Sequence, residues 1–470
     1  MPQAARLNVL CFPVGMVALL VCGCEPVERK TSVEEPAQGF TAHVVKTESS
    51  IPEHLLRKVL TCYRDATAYQ DAAVVRLAYH QRGVAQVDEA PLAVRFQAPD
   101  RLRLQAYTLD CAVQNGRLVA QVIDDFSNNL DNQFLLQTMP PGRISADAVY
   151  GDPLLTQLAG AGMAGRPPQL ELLAGDDPLG DLLASGASLE SLPASRIGNH
   201  DCLRLRIGSD AESATLWLDK ASLIIRRLEL PISIIPQVAR DTNIKNPRLT
   251  IEFHNATFTA PPADSFTIKP RTESQGVSRF IPPPPQLPSE LVGRQPSSFQ
   301  LSVIQGRDQS WTTVTETGSD RPQTVLLWLA RHEGSQAAAL ALQQVVRALP
   351  KTLVESTQFI LVMAEQGEAM DVTLGRWNVQ LPWALDPQAV GRDVFGIQQA
   401  PALCVLGPKG TLEWFQHPVA PGAIGALPQV LRDLDAGLQV GQLLQDEAAE
   451  NWRLYRAALA EVRIANEGFR

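Results

Sequence analysis

Apolar residues follow different rules in successive parts of this 470-residue chain. From Leu7 to Val21 they form one run, broken only by Asn8 and Pro13 and preceded by a single charge, Arg6. That run is too short to span a bilayer and predicts a cleaved secretion signal over residues 1–23. Residues 25–50 are polar and lack a period, which predicts a tether reaching roughly 25 to 30 Å if flexible. Leu55, Leu56, Val59, Leu60 and Tyr63 then recur at three- and four-residue spacing among Glu53, Arg57, Lys58 and Arg64, the signature of an amphipathic helix. Period-two stretches follow at Val94–Phe96, Arg101–Leu104 and Cys111–Val113, the last reaching Asn115-Gly116, a hairpin-turn pair, before Leu118–Val122. Between about Ser127 and Pro193 the pattern blurs into a helical or irregular insert rich in Gly and Pro. Strand periodicity returns at Cys202–Ile207, Ala214–Leu218, Leu223–Leu230 and Leu249–Phe253. Many antiparallel strands behind one long helix predict an α+β domain over 51–270, a sheet curled around that helix.

Residues 271–298 read as a Pro-rich linker, with four consecutive prolines at Pro282–Pro285 that favour an extended, stiff chain. From 299 to 440 the order is strand, strand, helix, strand, helix, strand, strand, helix. Thr324–Ala330 is a continuous apolar strand and Ala337–Leu349 an Ala/Leu-rich helix, so an α/β domain is expected. Residues 441–470 carry a terminal helix with Trp452, Tyr455 and Leu459 on one face, expected to dock on its own domain.

Three resemblances sharpen this outline. Val21-Cys22-Gly23-Cys24 resembles the bacterial lipobox, which implies a mature chain beginning at a lipidated Cys24 and anchored in an envelope membrane, facing the periplasm. Several acyl chains would hold it stably where one would not. Glu25, not Asp, follows that cysteine, so the leaflet stays open. The stretches Arg95–Leu104, Leu216–Leu230 and Phe266–Pro270 resemble the LolA/LolB lipoprotein-carrier half-barrel. That likeness implies a concave face that holds acyl chains or a lipidated partner; the alternative is a half-barrel filled by its own side chains. Gly396–Leu412 resembles the thioredoxin-like redoxins of the TlpA/ResA type, with Pro401 at the position of that family's cis-proline. There a W-C-x-x-C follows the strand that here is Val325–Ala330, and at that offset this chain carries Glu333 and Gln336. Thiol–disulfide exchange needs an attacking and a resolving sulfur, so the family's activity is not expected to carry over.

Composition narrows the remaining possibilities. Lys and Arg number 41 against 50 Asp and Glu, so nothing basic points to nucleic acid. Of seven cysteines, Cys62, Cys111, Cys202 and Cys404 lie beyond the lipobox, without CxxC or zinc-ligand spacing. The first three are open to a disulfide or to burial as free thiols. Cys404, in an apolar strand, reads as packing, and His332 beside Glu333 as a solvated pair at a helix entry, where the carboxylate complements the helix dipole. Gly160–Gly165 matches G-x-G-x-x-G, but Pro167-Pro168 just downstream argues against the helix that motif needs, leaving a flexible loop able to act as a lid. No metal or cofactor site is expected. The sequence thus points to a non-catalytic envelope lipoprotein that binds an apolar ligand or lipidated partner and uses its second domain for interactions. The alternative is a redoxin-related protein of envelope thiol homeostasis.

Overall fold

The computed structural model describes residues 51–81, 83–123, 129–178, 187–209, 212–241, 243–270, 273–305, 308–309, 322–363, 370–386, 388–419 and 422–464. The signal, the tether and Cys24 lie outside them. The chain forms two compact units that divide after Phe280, with residues 462–464 returning to the first.

The first unit opens with α1 (Ile51–Arg64) and continues through β1 (Ala68–Gln81), β2 (Val84–Gln97), β3 (Arg101–Ala106), β4 (Leu109–Gln114), β5 (Arg117–Val122) and β6 (Gln133–Thr138). Three short helices follow, α2 (Ala146–Val149), α3 (Pro153–Gly160) and α4 (Pro168–Ala174). Then come β7 (Leu189–Ile197), β8 (His200–Ile207), β9 (Ala214–Asp219), β10 (Ile225–Leu230), α5 (Pro236–Arg240), β11 (Ile244–Thr257) and β12 (Gln275–Val277). All twelve strands share one sheet, ordered β12-β6-β5-β4-β3-β2-β1-β11-β10-β9-β8-β7. Every pairing is antiparallel except β6 with β12.

Register explains why these residues make a sheet with one dry face. Tyr69, Phe96, Leu102, Val113 and Leu118 lie directly opposite one another across five strands, and Val75, Ile251, Leu228, Leu216 and Leu205 form a second row; all ten are buried. The opposite face carries Arg204, Trp217, Arg227 and Glu252 in a row, with the two guanidinium groups 4.4 and 5.4 Å from the indole centre and Arg227 paired to Glu252 at 2.9 Å.

The apolar stripe of α1 buries Leu56, Val59 and Tyr63, roughly 1.5 to 3 kcal/mol apiece for the aliphatic pair. The Tyr63 hydroxyl accepts the amide of Ile225 at 3.0 Å, tying the helix to β10. The stretch from 127 to 193, expected as helical or irregular, also supplies β6, because Leu135, opposite Ala120, continues the buried face while Phe134 is buried on the other one. Pro168 does not block a helix; it opens α4 as its first residue, where its missing N–H and fixed φ suit the first turn. Arg143 then fastens two helices at once. Its Nη2 donates to the carbonyl of Arg64, the last residue of α1, and at 3.1 Å to that of Leu173 near the end of α4, while its guanidinium lies 5.7 Å from the Phe96 ring centre. A cation at two helix C-termini satisfies orphan carbonyls and complements both dipoles.

The second unit comprises β13 (Ser302–Gln305), β14 (Asp308–Gln309), β15 (Gln323–Leu329), α6 (Glu333–Ala348), α7 (Lys351–Glu355), β16 (Thr357–Met363), α8 (Met370–Arg376) and β17 (Trp383–Leu385). It continues with α9 (Val390–Asp393), β18 (Ala402–Leu406), β19 (Leu412–Gln416), α10 (Ala423–Asp435) and α11 (Val440–Val462). Its sheet order is β14-β13-β17-β16-β15-β18-β19, with β15, β16 and β17 mutually parallel and the other pairs antiparallel. Every residue of β15 is buried, since the strand faces a core on each side. Val325, Leu327 and Leu329 pack with Leu342 of α6 and Leu427 of α10, whereas Leu326 and Trp328 pack with Ile360, Phe299 and Phe395.

Both ends of the Pro-rich stretch are built into folded units. Gly276 and Val277 pair with β6 and Phe280 is buried in the first unit; in the second, Val292 is fully buried and Gly293 N donates to Leu412 O at 2.7 Å. The start of α11 packs on that same point. Gly441 N donates to Glu413 Oε2 at 2.7 Å, and a Cβ on Gly441 would lie 2.6 Å from the amide nitrogen of Gly293, so only glycine fits there.

Replacing Arg143 with Ala should lower the unfolding free energy by about 1 to 2 kcal/mol, less than the upper range for hydrogen bonds to a charged group because the guanidinium is solvent-exposed. Urea denaturation followed by circular dichroism checks this, and a loss under about 0.5 kcal/mol, the scale of an ordinary surface change, would deny Arg143 its fastening role.

Candidate functional site

The second unit brings the expected site residues to the N-terminus of α6. β15 ends at Leu329, and after Ala330-Arg331 the helix is capped by His332, not by the neighbouring carboxylate. His332 Nδ1 accepts the amide of Ser335 at 3.2 Å, which leaves the ring proton on Nε2, and Nε2 donates to the carbonyl of Ala400 at 3.0 Å. Ser335 is buried and its Oγ accepts the amide of Ala330 at 3.0 Å, closing the turn from beneath. Glu333 is exposed in the first helical turn and Gln336 is half-buried one turn on. The Ala400–Pro401 bond is cis. The helix start and the segment entering Pro401 are therefore joined by an imidazole, and His332, exposed as expected, serves as cap and tie.

A second histidine faces the same segment. His417 Nε2 accepts the amides of Gln398 and Gln399 at 3.2 and 3.1 Å, and its ring stacks on Phe415 with centroids 6.0 Å apart. Periodicity gave no hint of this pair, because both imidazoles act on main-chain atoms of a loop that has no period.

Sulfur is absent from this arrangement. Cys404 sits in β18 opposite Leu326, fully buried, and burial pushes its thiol far above the ordinary range. Cys111 is raised by burial in the same way, as is Cys202. Cys62, Cys111, Cys202 and Cys404 are all free, and of these only Cys62 is not buried. A thiol held protonated offers no thiolate for attack.

In the first unit two of the sequence stretches that carry the half-barrel likeness meet through a polar contact, and the third is braced within itself. Arg103, on the segment Arg95–Leu104, pairs with Asp110 at 2.7 Å and donates to the carbonyl of Thr267, within Phe266–Pro270. Asp219, within Leu216–Leu230, accepts the amides of Ala221 and Ser222 at 2.9 and 3.0 Å and bonds His200 at 2.7 Å and Arg226 at 3.2 Å. Burial opposes the charge on Asp219, but these bonds outweigh it and bring its carboxyl down to about 2. The G-x-G-x-x-G stretch is not a free lid. The Tyr107 hydroxyl donates to Gly165 O at 2.8 Å and accepts the amide of Ala164 at 3.1 Å, while a Cβ on Gly162 would strike the Tyr107 ring.

One buried carboxylate stands inside the dry face. The β1–β2 ladder carries no residue pair between Gln70–Arg95 and Val74–Pro91. Asp71 fills that gap, accepting Val94 N at 2.8 Å, the Tyr69 hydroxyl at 2.8 Å and Gln169 Nε2 at 3.0 Å, and Gln169 also donates to Leu92 O at 2.7 Å. Desolvation outweighs these donors and lifts the Asp71 carboxyl to about 6. Apart from this core, a cleft of about 290 Å³ opens beside the β4–β5 hairpin, lined by Val113, Met139, Pro140, Ile144 and Ala148 with Arg143 and Asp100 among its polar groups.

No protein-family model matches this chain, and no curated protein does. Among solved structures the chain is similar to a thioredoxin-like protein in its oxidised form, at 16% identity over 31% of this chain and 98% of that one, with a TM-score of 0.25. It is also similar to a putative thiol:disulfide interchange protein DsbE from Chlorobium tepidum, at 13% identity over 30% and 96%, TM-score 0.25. StoA from Bacillus subtilis matches at 16% identity over 29% and 96%, TM-score 0.24. The second unit has a connectivity of its own to set beside these likenesses. A parallel β15-α6-β16 unit is followed, past Pro401, by the antiparallel pair β18–β19 and the covering helix α10. Among the described residues no helix is long and apolar enough to cross a membrane, and no cluster of three or more His, Cys, Asp or Glu could hold a metal ion.

Asp71 makes a signed pH prediction. Its folded value lies above the unfolded one, so its contribution to stability is full below about 4 and is lost as pH rises through about 6. Relative to Asp71→Asn, the wild type should therefore lose about 2 kcal/mol between pH 4 and pH 7, most of what a shift of about two pKa units supplies. Paired urea titrations at the two pH values check this; a difference that is flat or rises with pH contradicts it.

Proposed function

We propose that this protein is a membrane-anchored, non-catalytic envelope lipoprotein, tethered through a lipidated Cys24 and facing the periplasm. Its first unit, read as a LolA/LolB-like half-barrel, takes an apolar ligand or a lipidated partner, and its thioredoxin-like unit is an interaction module. One observation carries the reading: where the redoxins place two sulfurs, this chain has Glu333 and Gln336, with His332 hydrogen-bonded to Ala400 O in the space between helix and loop. With Cys404 buried and neutral, that unit has the frame for holding a polypeptide or domain surface and lacks the nucleophile for exchange.

For the first unit, the apolar cleft beside Met139 and Ile144 is the place offered to an acyl chain, since its volume approaches the lower end of small-molecule pockets.

Two measurements test the proposal. Insulin reduction with a dithiol donor should show no turnover above background, in the wild type and in Cys404→Ser alike; turnover lost on that substitution would replace this reading with a redoxin one. A fluorescent fatty acid should bind the secreted, unlipidated Cys24→Ala protein at micromolar concentration, and Ile144→Asp should weaken it at least tenfold. Binding that is absent, or indifferent to Ile144→Asp, removes the acyl-ligand role from the cleft.

A further inference from the structure

Residues 398–400 lie outside the sheet on their way to Pro401, and two histidines from different elements hold their main chain. From the end of β19, His417 Nε2 accepts two amides at once, those of Gln398 and Gln399. From the start of α6, His332 Nε2 donates to Ala400 O, with Ser335 Oγ 3.2 Å from the same nitrogen. An imidazole nitrogen accepts only through a bare lone pair. A proton on His417 Nε2 would remove the acceptor and point a third donor at two others.

The flanking elements bring few other charges here. The segment itself carries uncharged Gln398 and Gln399, and β19 contributes Phe415 to the stack. The N-terminus of α6 presents Arg331, His332 and Glu333, and α9 presents Arg392 and Asp393, which are paired with each other at 2.8 Å.

We propose that residues 398–400 form an acid-released latch, closed while His417 Nε2 is bare and opened when that nitrogen takes a proton from solvent. Burial, the larger cause, holds the His417 pKa below its ordinary value of 6.5, so the latch is closed at neutral pH. The sign follows from linkage. A histidine lowered by the fold contributes fully above its ordinary value, and the contribution is lost as pH falls through the folded one. The latch gives the proposed interaction face a regulator, but its test reads the segment alone and stands whether or not that face has a partner.

Hydrogen exchange of the Gln398 and Gln399 amides in the full chain, corrected for intrinsic rates, should show protection that falls between pH 7.5 and pH 4.5. The fall should be about tenfold for each unit by which His417 is lowered. His417→Gln, whose side-chain oxygen accepts without titrating, should keep protection level across that range, and His332→Gln should retain the wild-type fall. Wild-type protection that does not change, a His417→Gln variant that falls in parallel, or a fall abolished in His332→Gln would each overturn the latch. Nuclear magnetic resonance titration of the wild-type imidazoles gives a reading independent of any variant, and a His417 pKa at or above 6.5 would also overturn it.

Discussion

A main-chain group that leaves its helix or ladder must find another partner before it is buried, and this fold meets that demand with side chains. Asp71 and Gln169 close the gap in the β1–β2 ladder, Arg143 takes the last carbonyls of α1 and α4, and Asp152 caps α3 while accepting the amide of Phe280. In the second unit Asp386 accepts the amides of Val390 and Gly391, Glu413 that of Gly441, and the two histidines hold residues 398–400. The apolar rows supply the bulk of burial, but these polar residues decide where each turn and helix end must stand.

The same demand accounts for the chemistry of the second unit. In this unit the N-terminus of α6 and the loop before β18 face each other, and something must satisfy the amide of Ser335 and the carbonyl of Ala400. A histidine with one donor and one acceptor nitrogen does both. Occupied in this way, the imidazole ties helix to loop, while the thiol of Cys404 is fully buried in β18 and packs as an apolar residue would.

Much of the outline was legible in the chain. The stripe Leu56, Val59 and Tyr63, the alternation in Arg101–Leu104 and the unbroken apolar run Val325–Leu329 each carry a period that survives folding, because burial on one or both faces fixes it. What escaped notice has no period. β6 lay hidden in an insert whose Gly and Pro content reads as loop, and Pro168 looked like a breaker although it stands at a first helical position. Tyr107 pins a glycine-rich loop more than fifty residues away, and His417 acts on amides nearly twenty residues back. Such contacts join residues that no local window places together.

Arg143 and His417 fasten main-chain groups in opposite chemical keys. A guanidinium keeps its positive charge across the whole physiological pH range, so the joint between α1 and α4 is deaf to acidity, whereas an imidazole hears it. Strength that must not vary has been entrusted to one residue type and responsiveness to the other, so the molecule can yield at a loop while its helical framework holds.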